Sequence, residues 1–219
     1  MLGMRKLFMK IFRKRLNSGD TTSSLDFINF RPIPPDAFRV LFIGNSLTVH
    51  GTLQGVWDVA CGMAASSPEK DFVHMVTAEL QGQNVRPVEA LYNNGGNGKI
   101  QEMLEYLQLR DLKPDLVILQ GGENDQLNDD FRRHYPALLD YFSVPRIVLG
   151  DWYSKDKSDY VEGLCEKRDV PFVRLLDISA DKGMSGYGGP FGNKDVSSHP
   201  NDAGMASIAD AVVAIWTPS

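Results

Sequence analysis

Four short stretches of this chain carry side chains suited to acyl-group chemistry. They are Gly44-Asn45-Ser46-Leu47, the glycine-rich run Asn93-Asn94-Gly95-Gly96-Asn97-Gly98, Gly122-Glu123-Asn124-Asp125, and His199-Pro200. A serine hydroxyl is a poor nucleophile until a base takes its proton. The imidazole of His199, ordinarily titrating near about 6.5, is the natural base at neutral pH. Attack on a carbonyl puts negative charge on its oxygen, and that charge needs donors aimed at it. The backbone amides of Ser46 and Gly98 and the side-chain NH₂ of Asn124 could supply three. Gly98 suits the task because no Cβ blocks a close approach. Each residue also has a plainer reading. Gly-Asn-Ser is a common turn composition, Asn124 can close a turn, Gly98 can enter a helix, and His199-Pro200 can lead into a capped helix.

Whether the four meet depends on the elements that carry them. Residues 38–43 read as a buried strand, with Ser46 just past its C-terminal end. Further strands are expected over 85–92, with Pro87 at its beginning or at an edge, over 115–120, whose Leu116-Val117-Ile118-Leu119 suits a central parallel strand, and over 146–150 and 170–176. Helices are expected between them. One starts at Ser67-Pro68-Glu69 with a capping serine and stops near Gly82. A second carries Ile100, Met103, Leu104 and Leu107 on one face. A third is capped by Asn128 or Asp129, runs to about 141 and is bent or split by Pro136. A fourth, exposed, covers 155–167, and a last is capped by Asn201 or Asp202. This alternation predicts a five-stranded parallel sheet between helical layers. Parallel strands present their C-terminal ends at one edge, where open α/β sheets bind ligands. Residues 179–194 hold five glycines and read as a long loop lining a site.

The 219 residues, 42% apolar, fit one α/β domain. A net charge of -5 argues against a nucleic-acid partner. Arg5, Lys6, Lys10, Arg13, Lys14 and Arg15 make the first fifteen residues basic, with Leu7, Phe8, Ile11 and Phe12 able to share a helix face. Such a helix could rest weakly on an anionic membrane surface, although a disordered leader is the favoured reading. With the polar run 17–24 as linker, residues 1–36 form a basic leader and linker, and 37–219 form a single domain. There is neither a run of about 20 apolar residues nor a clear signal-peptide pattern; this favours the cytoplasm slightly and leaves localisation open. Cys61 and Cys165 read as buried thiols rather than a bridge, and no His/Cys/carboxylate cluster suggests a metal. The 95–98 turn lacks the lysine-serine ending of a phosphate-binding loop.

The four blocks together resemble those of the SGNH hydrolases, the GDSL esterase/lipase superfamily, over roughly residues 38–215. The resemblance implies a flavodoxin-like three-layer α/β/α sandwich with strand order 2-1-3-4-5. It implies Ser46 as nucleophile and amide donor, Gly98 and Asn124 as the other oxyanion donors, His199 as base, and no cofactor. The family's aspartate stands three residues before the histidine, where this chain has Val196. Asp195, one place further back, is the candidate to orient His199, with a backbone carbonyl as the alternative. The implied activity is hydrolysis of a small-molecule ester, with a short acyl group such as acetyl on a carbohydrate expected. Lysophospholipase or thioesterase activity, and a non-catalytic carbohydrate-binding or structural role on the same fold, are the alternatives. The lack of a long apolar lid segment disfavours long-chain lipids.

Other residues at strand ends could assist. Trp57, Trp152 and Tyr153 are candidates to line an acyl or sugar pocket. Asp151 and Asp177 are stand-in carboxylates for His199. His74 reads as a satisfied structural histidine, and His134 as a surface one.

Overall fold

In a computed structural model, the protein is described over residues 34–216, apart from 53–54, 85, 94–98, 109–111 and 188. The leader and most of the linker, like Gly98, lie outside the described residues. A parallel sheet takes the order β2-β1-β3-β4-β5, from β1 (Phe38–Ile43), β2 (Val88–Asn93), β3 (Leu116–Gln120), β4 (Arg146–Leu149) and β5 (Phe172–Val173). This is the three-layer architecture expected. Alternation along β1 sends Phe42 to one core and Leu41 and Ile43 to the other. The first core is closed by α1 (Phe72–Gln83), the short α5 (Leu175–Ser179) and α7 (Asp202–Ile215). The second is closed by α2 (Ile100–Gln108), α3 (Asp129–Tyr141) and α4 (Lys155–Glu166). A one-turn helix, α6 (Lys194–Ser197), precedes His199. No described helix is long and apolar enough to cross a membrane.

Several local expectations are revised. Pro68–Lys70 forms a 3₁₀ turn with no side-chain cap from Ser67, and α1 starts later, where Asp71 accepts from His74 N. Gly82 lies inside α1 instead of ending it. Only two residues of the fifth strand pair, because the chain turns into α5 at Leu175. Segment 179–194 contains a 3₁₀ turn at Lys182–Met184 and is tied beside the site by the Ser185–Pro200 bridge. Pro136 leaves α3 in one piece. Its missing N–H would have bonded the Arg132 carbonyl, and the Tyr160 hydroxyl donates to that oxygen instead at 3.3 Å. Asn128 and Asn201 are the caps of α3 and α7. Cys61 and Cys165 are free and buried, and burial pushes both thiols up to about 12.

Candidate active site

Strand order decides which loops meet. β1 and β3 are neighbours, with Ile43 opposite Leu119, so the Ser46 turn and the 121–125 turn leave adjacent strands at the same edge. Their approach requires glycine at 44: a Cβ there would lie 2.0 Å from Thr48 Oγ1 and 2.6 Å from the Gln120 carbonyl oxygen. The Ser46 turn is then tied down. Asn45 Oδ1 accepts from Leu47 N at 3.0 Å, and buried Gln120 Oε1 accepts from Asn45 N at 3.2 Å and from Thr48 Oγ1 at 3.0 Å. Met63 N donates to Ser46 O at 2.9 Å.

His199 arrives from the other end of the domain. Its Nε2 lies 2.7 Å from Ser46 Oγ, and its Nδ1 lies 2.7 Å from the backbone carbonyl oxygen of Asp195. A carbonyl can only accept, so Nδ1 carries the proton and Nε2 of the neutral ring presents its lone pair to the serine O–H. The base tautomer is thus set by main chain. The carbonyl is in place because Asn193 caps α6 through Asp195 N and Val196 N, and His199 N closes the turn on Val196 O at 3.0 Å. The indole N–H of Trp152 donates to Ser198 O at 3.2 Å, and Gly186 N donates to His199 O at 3.0 Å. Burial lowers the His199 pKa to about 4, so the imidazole is in its neutral form at ordinary pH.

The fold has counterparts among solved structures. The esterase EstA from Pseudoalteromonas sp., in a structure inhibited by monoethylphosphonate, superposes with a TM-score of 0.55 at 18% identity over 81% of this chain and 95% of its own. A protein from Desulfitobacterium hafniense DCB-2, described as lipolytic and of the G-D-S-L family, gives 0.55 at 13% identity over 82% and 99%. A GDSL-like lipase candidate from Parabacteroides merdae ATCC 43184 gives 0.54 at 16% over 83% and 98%. This chain has the SGNH (GDSL) hydrolase fold. No family model and no curated protein matches its sequence.

Within the SGNH fold the remaining candidates fall into clear positions. Asp195 meets His199 through its carbonyl, while its residue is otherwise exposed. Asn124 sits exposed in the turn after β3. Trp57 is buried against Phe191, with ring centroids 5.4 Å apart, and Trp152 is buried too, so both are core rather than pocket wall. Tyr153 is 49% exposed, and its ring stands edge-on to His199 at 6.3 Å. Asp151 is no partner of His199: its Oδ1 accepts from Tyr153 N and Ser154 N, and its Oδ2 pairs with Lys157. Asp177 is exposed near Arg174. His74 Nδ1 bonds Asp71 Oδ1 at 2.8 Å, the structural role expected of it, and His134 Nδ1 bonds Asp130 O.

Three residues escape sequence reasoning. His50 lies close enough for its charge to depress the His199 pKa, and its Nδ1 is held on Gly51 O at 2.6 Å. Nothing in its sequence neighbourhood signals this. Glu123 lies inside the third block yet turns its carboxyl inward, to Asn45 Nδ2, Gln120 Nε2 (2.8 Å) and Trp152 N (3.3 Å). Lys157 is buried, although α4 reads as exposed. Its alignment with Val161 and Cys165 at helical spacing was the available signal.

Proposed function

We propose that this protein is a serine esterase that works by acyl transfer. The observation that carries the reading is the Ser46 Oγ–His199 Nε2 contact of 2.7 Å, with His199 Nδ1 committed to a carbonyl. His199 Nε2 takes the Ser46 proton as Oγ attacks the ester carbonyl. The Ser46 and Gly98 amides and the Asn124 side chain stabilise the resulting oxyanion. Collapse expels the alcohol, which takes the proton from His199. Water then attacks the acyl-serine with His199 again as base, releasing the acid and restoring Ser46. The Asp195 carbonyl keeps the ring oriented in both halves, so the chemistry is that of a dyad.

The substrate we propose is a short acyl ester, acetyl first, on a carbohydrate. Tyr153 supports this reading: beside His199 it offers a half-exposed ring face and a hydroxyl, the combination that suits a sugar. The test is hydrolysis of p-nitrophenyl esters from acetate to dodecanoate, followed by acetate release from an acetylated oligosaccharide, with Ser46→Ala protein as the blank. The expected result is Ser46-dependent release fastest on acetate. A preference for dodecanoate would replace the carbohydrate reading with a lipolytic one. Absence of Ser46-dependent release from every ester would overturn the esterase assignment.

A further inference from the structure

We propose that Glu123 is a positioning residue for the Ser46–His199 pair: its carboxylate clasps the Ser46 turn to the ends of β3 and β4, and the pair reaches its full rate only while that carboxylate is ionised. The inference rests on the esterase reading above. Its basis is a closed ring of three residues, joined by two side-chain bonds and the Asn45 main chain. Gln120 Oε1 accepts from Asn45 N, Gln120 Nε2 donates to Glu123 Oε1, and Asn45 Nδ2 donates to Glu123 Oε2. The same Glu123 Oε1 accepts from Trp152 N at 3.3 Å, where the chain leaves β4. Trp152 in turn holds Ser198 O, next to His199. One carboxylate therefore touches both the turn that presents the nucleophile and the residue that braces the base.

The contacts require the charged form. Asn45 Nδ2, Gln120 Nε2, Trp152 N and the residue's own backbone N–H all meet the carboxyl oxygens as donors, and a carboxylate is acceptor-only. Protonation turns one oxygen into a donor, which then confronts an N–H. The titratable and charged groups around it are Asp151 and Tyr153 beyond β4, Lys157 on α4 and Tyr135 on α3. Asn45 and Gln120 are neutral amides. Enclosure, and then the Asp151 charge, push the Glu123 carboxyl up to about 7, against the opposing pull of backbone donors and Lys157. The clasp is intact above about 7 and released as pH falls through it, whereas His199 stays neutral down to about 4. The acid limb of the pH–rate profile thus belongs to Glu123 and not to the base.

The experiment compares wild type, Glu123→Gln and Glu123→Ala on p-nitrophenyl acetate across the pH range, alongside pH titration of the backbone amide resonances of Asn45 and Ser46. In wild type we expect an acid limb with a midpoint near 7, and Asn45 and Ser46 amide shifts that move with the same midpoint. In Glu123→Gln, which keeps one acceptor and cannot ionise, the limb moves down by more than one pH unit and the amide shifts stop moving. There kcat at high pH falls roughly 10-fold with KM within about twofold, and Glu123→Ala loses roughly 10²-fold, the scale of a small misplacement of reacting groups. A Ser46-dependent wild-type rate whose acid limb is unmoved in Glu123→Gln would overturn the inference and leave the esterase reading standing. No wild-type turnover would overturn the esterase reading. In that case amides titrating in wild type but not in Glu123→Gln would still support the clasp, and amides indifferent to the substitution would overturn it as well.

Discussion

His199→Ala is expected to lower kcat/KM on a p-nitrophenyl ester by on the order of 10⁴-fold, and Ser46→Ala by a similar factor. The double variant should be no worse than either single one, because nucleophile and base act as one unit. Asp195→Asn, by contrast, should leave the rate within about twofold, since Nδ1 of the ring is held by the Asp195 main chain. Steady-state kinetics on the four proteins, with circular dichroism to show that each is folded, checks this set. A loss of more than about tenfold in Asp195→Asn would return the side chain to the role that a carboxylate plays in a triad.

The second large effect is on stability. Lys157 is 10% exposed at its side chain, and its Nζ donates to the carbonyls of Gly122 (2.8 Å), Glu123 (3.1 Å) and Asp125 (3.1 Å). It also lies 2.7 Å from Asp151 Oδ2, a charge contact outside hydrogen-bond geometry. One ammonium thus satisfies three turn carbonyls and neutralises a buried carboxylate. Gly122 needs that support: its φ of 112° is left-handed, and a Cβ there would press on Phe131. Lys157→Met removes the cation but keeps the bulk, and should cost about 3–5 kcal/mol, the range for one half of a buried pair. Urea unfolding near neutral pH measures it. Adding Asp151→Asn should recover part of the loss, because the stranded charge is gone. A cost below about 1 kcal/mol would mean that water or a rearranged turn replaces the ammonium.

The strands and their order are legible in the sequence because their signals are local. An apolar run followed by glycine marks the end of β1 and of β3, and parallel strands bring those ends together. What is not legible depends on contacts between distant residues. A capping serine with a following proline reads as a helix start at 67–68, but Asp71 competes for the role and also binds Gly62 N at 3.0 Å. A helix with charged residues reads as exposed until the carbonyls of the 122–125 turn are seen to need Lys157. An aspartate near the histidine suggests a carboxylate partner, yet the α6 turn delivers its main-chain oxygen. The inward turn of Glu123 is set by Asn45 and Trp152, both far away in the chain, together with nearby Gln120.

Covalent trapping should mark Ser46, the proposed nucleophile. The protein is treated with p-nitrophenyl ethylphosphonate ester, and intact mass and peptide mapping are read beside released p-nitrophenolate. The expected result is one phosphonyl group per chain, on Ser46, with stoichiometric nitrophenolate, and none on Ser46→Ala. Labelling that persists in Ser46→Ala, or ester turnover in wild type without any label on Ser46, would contradict it.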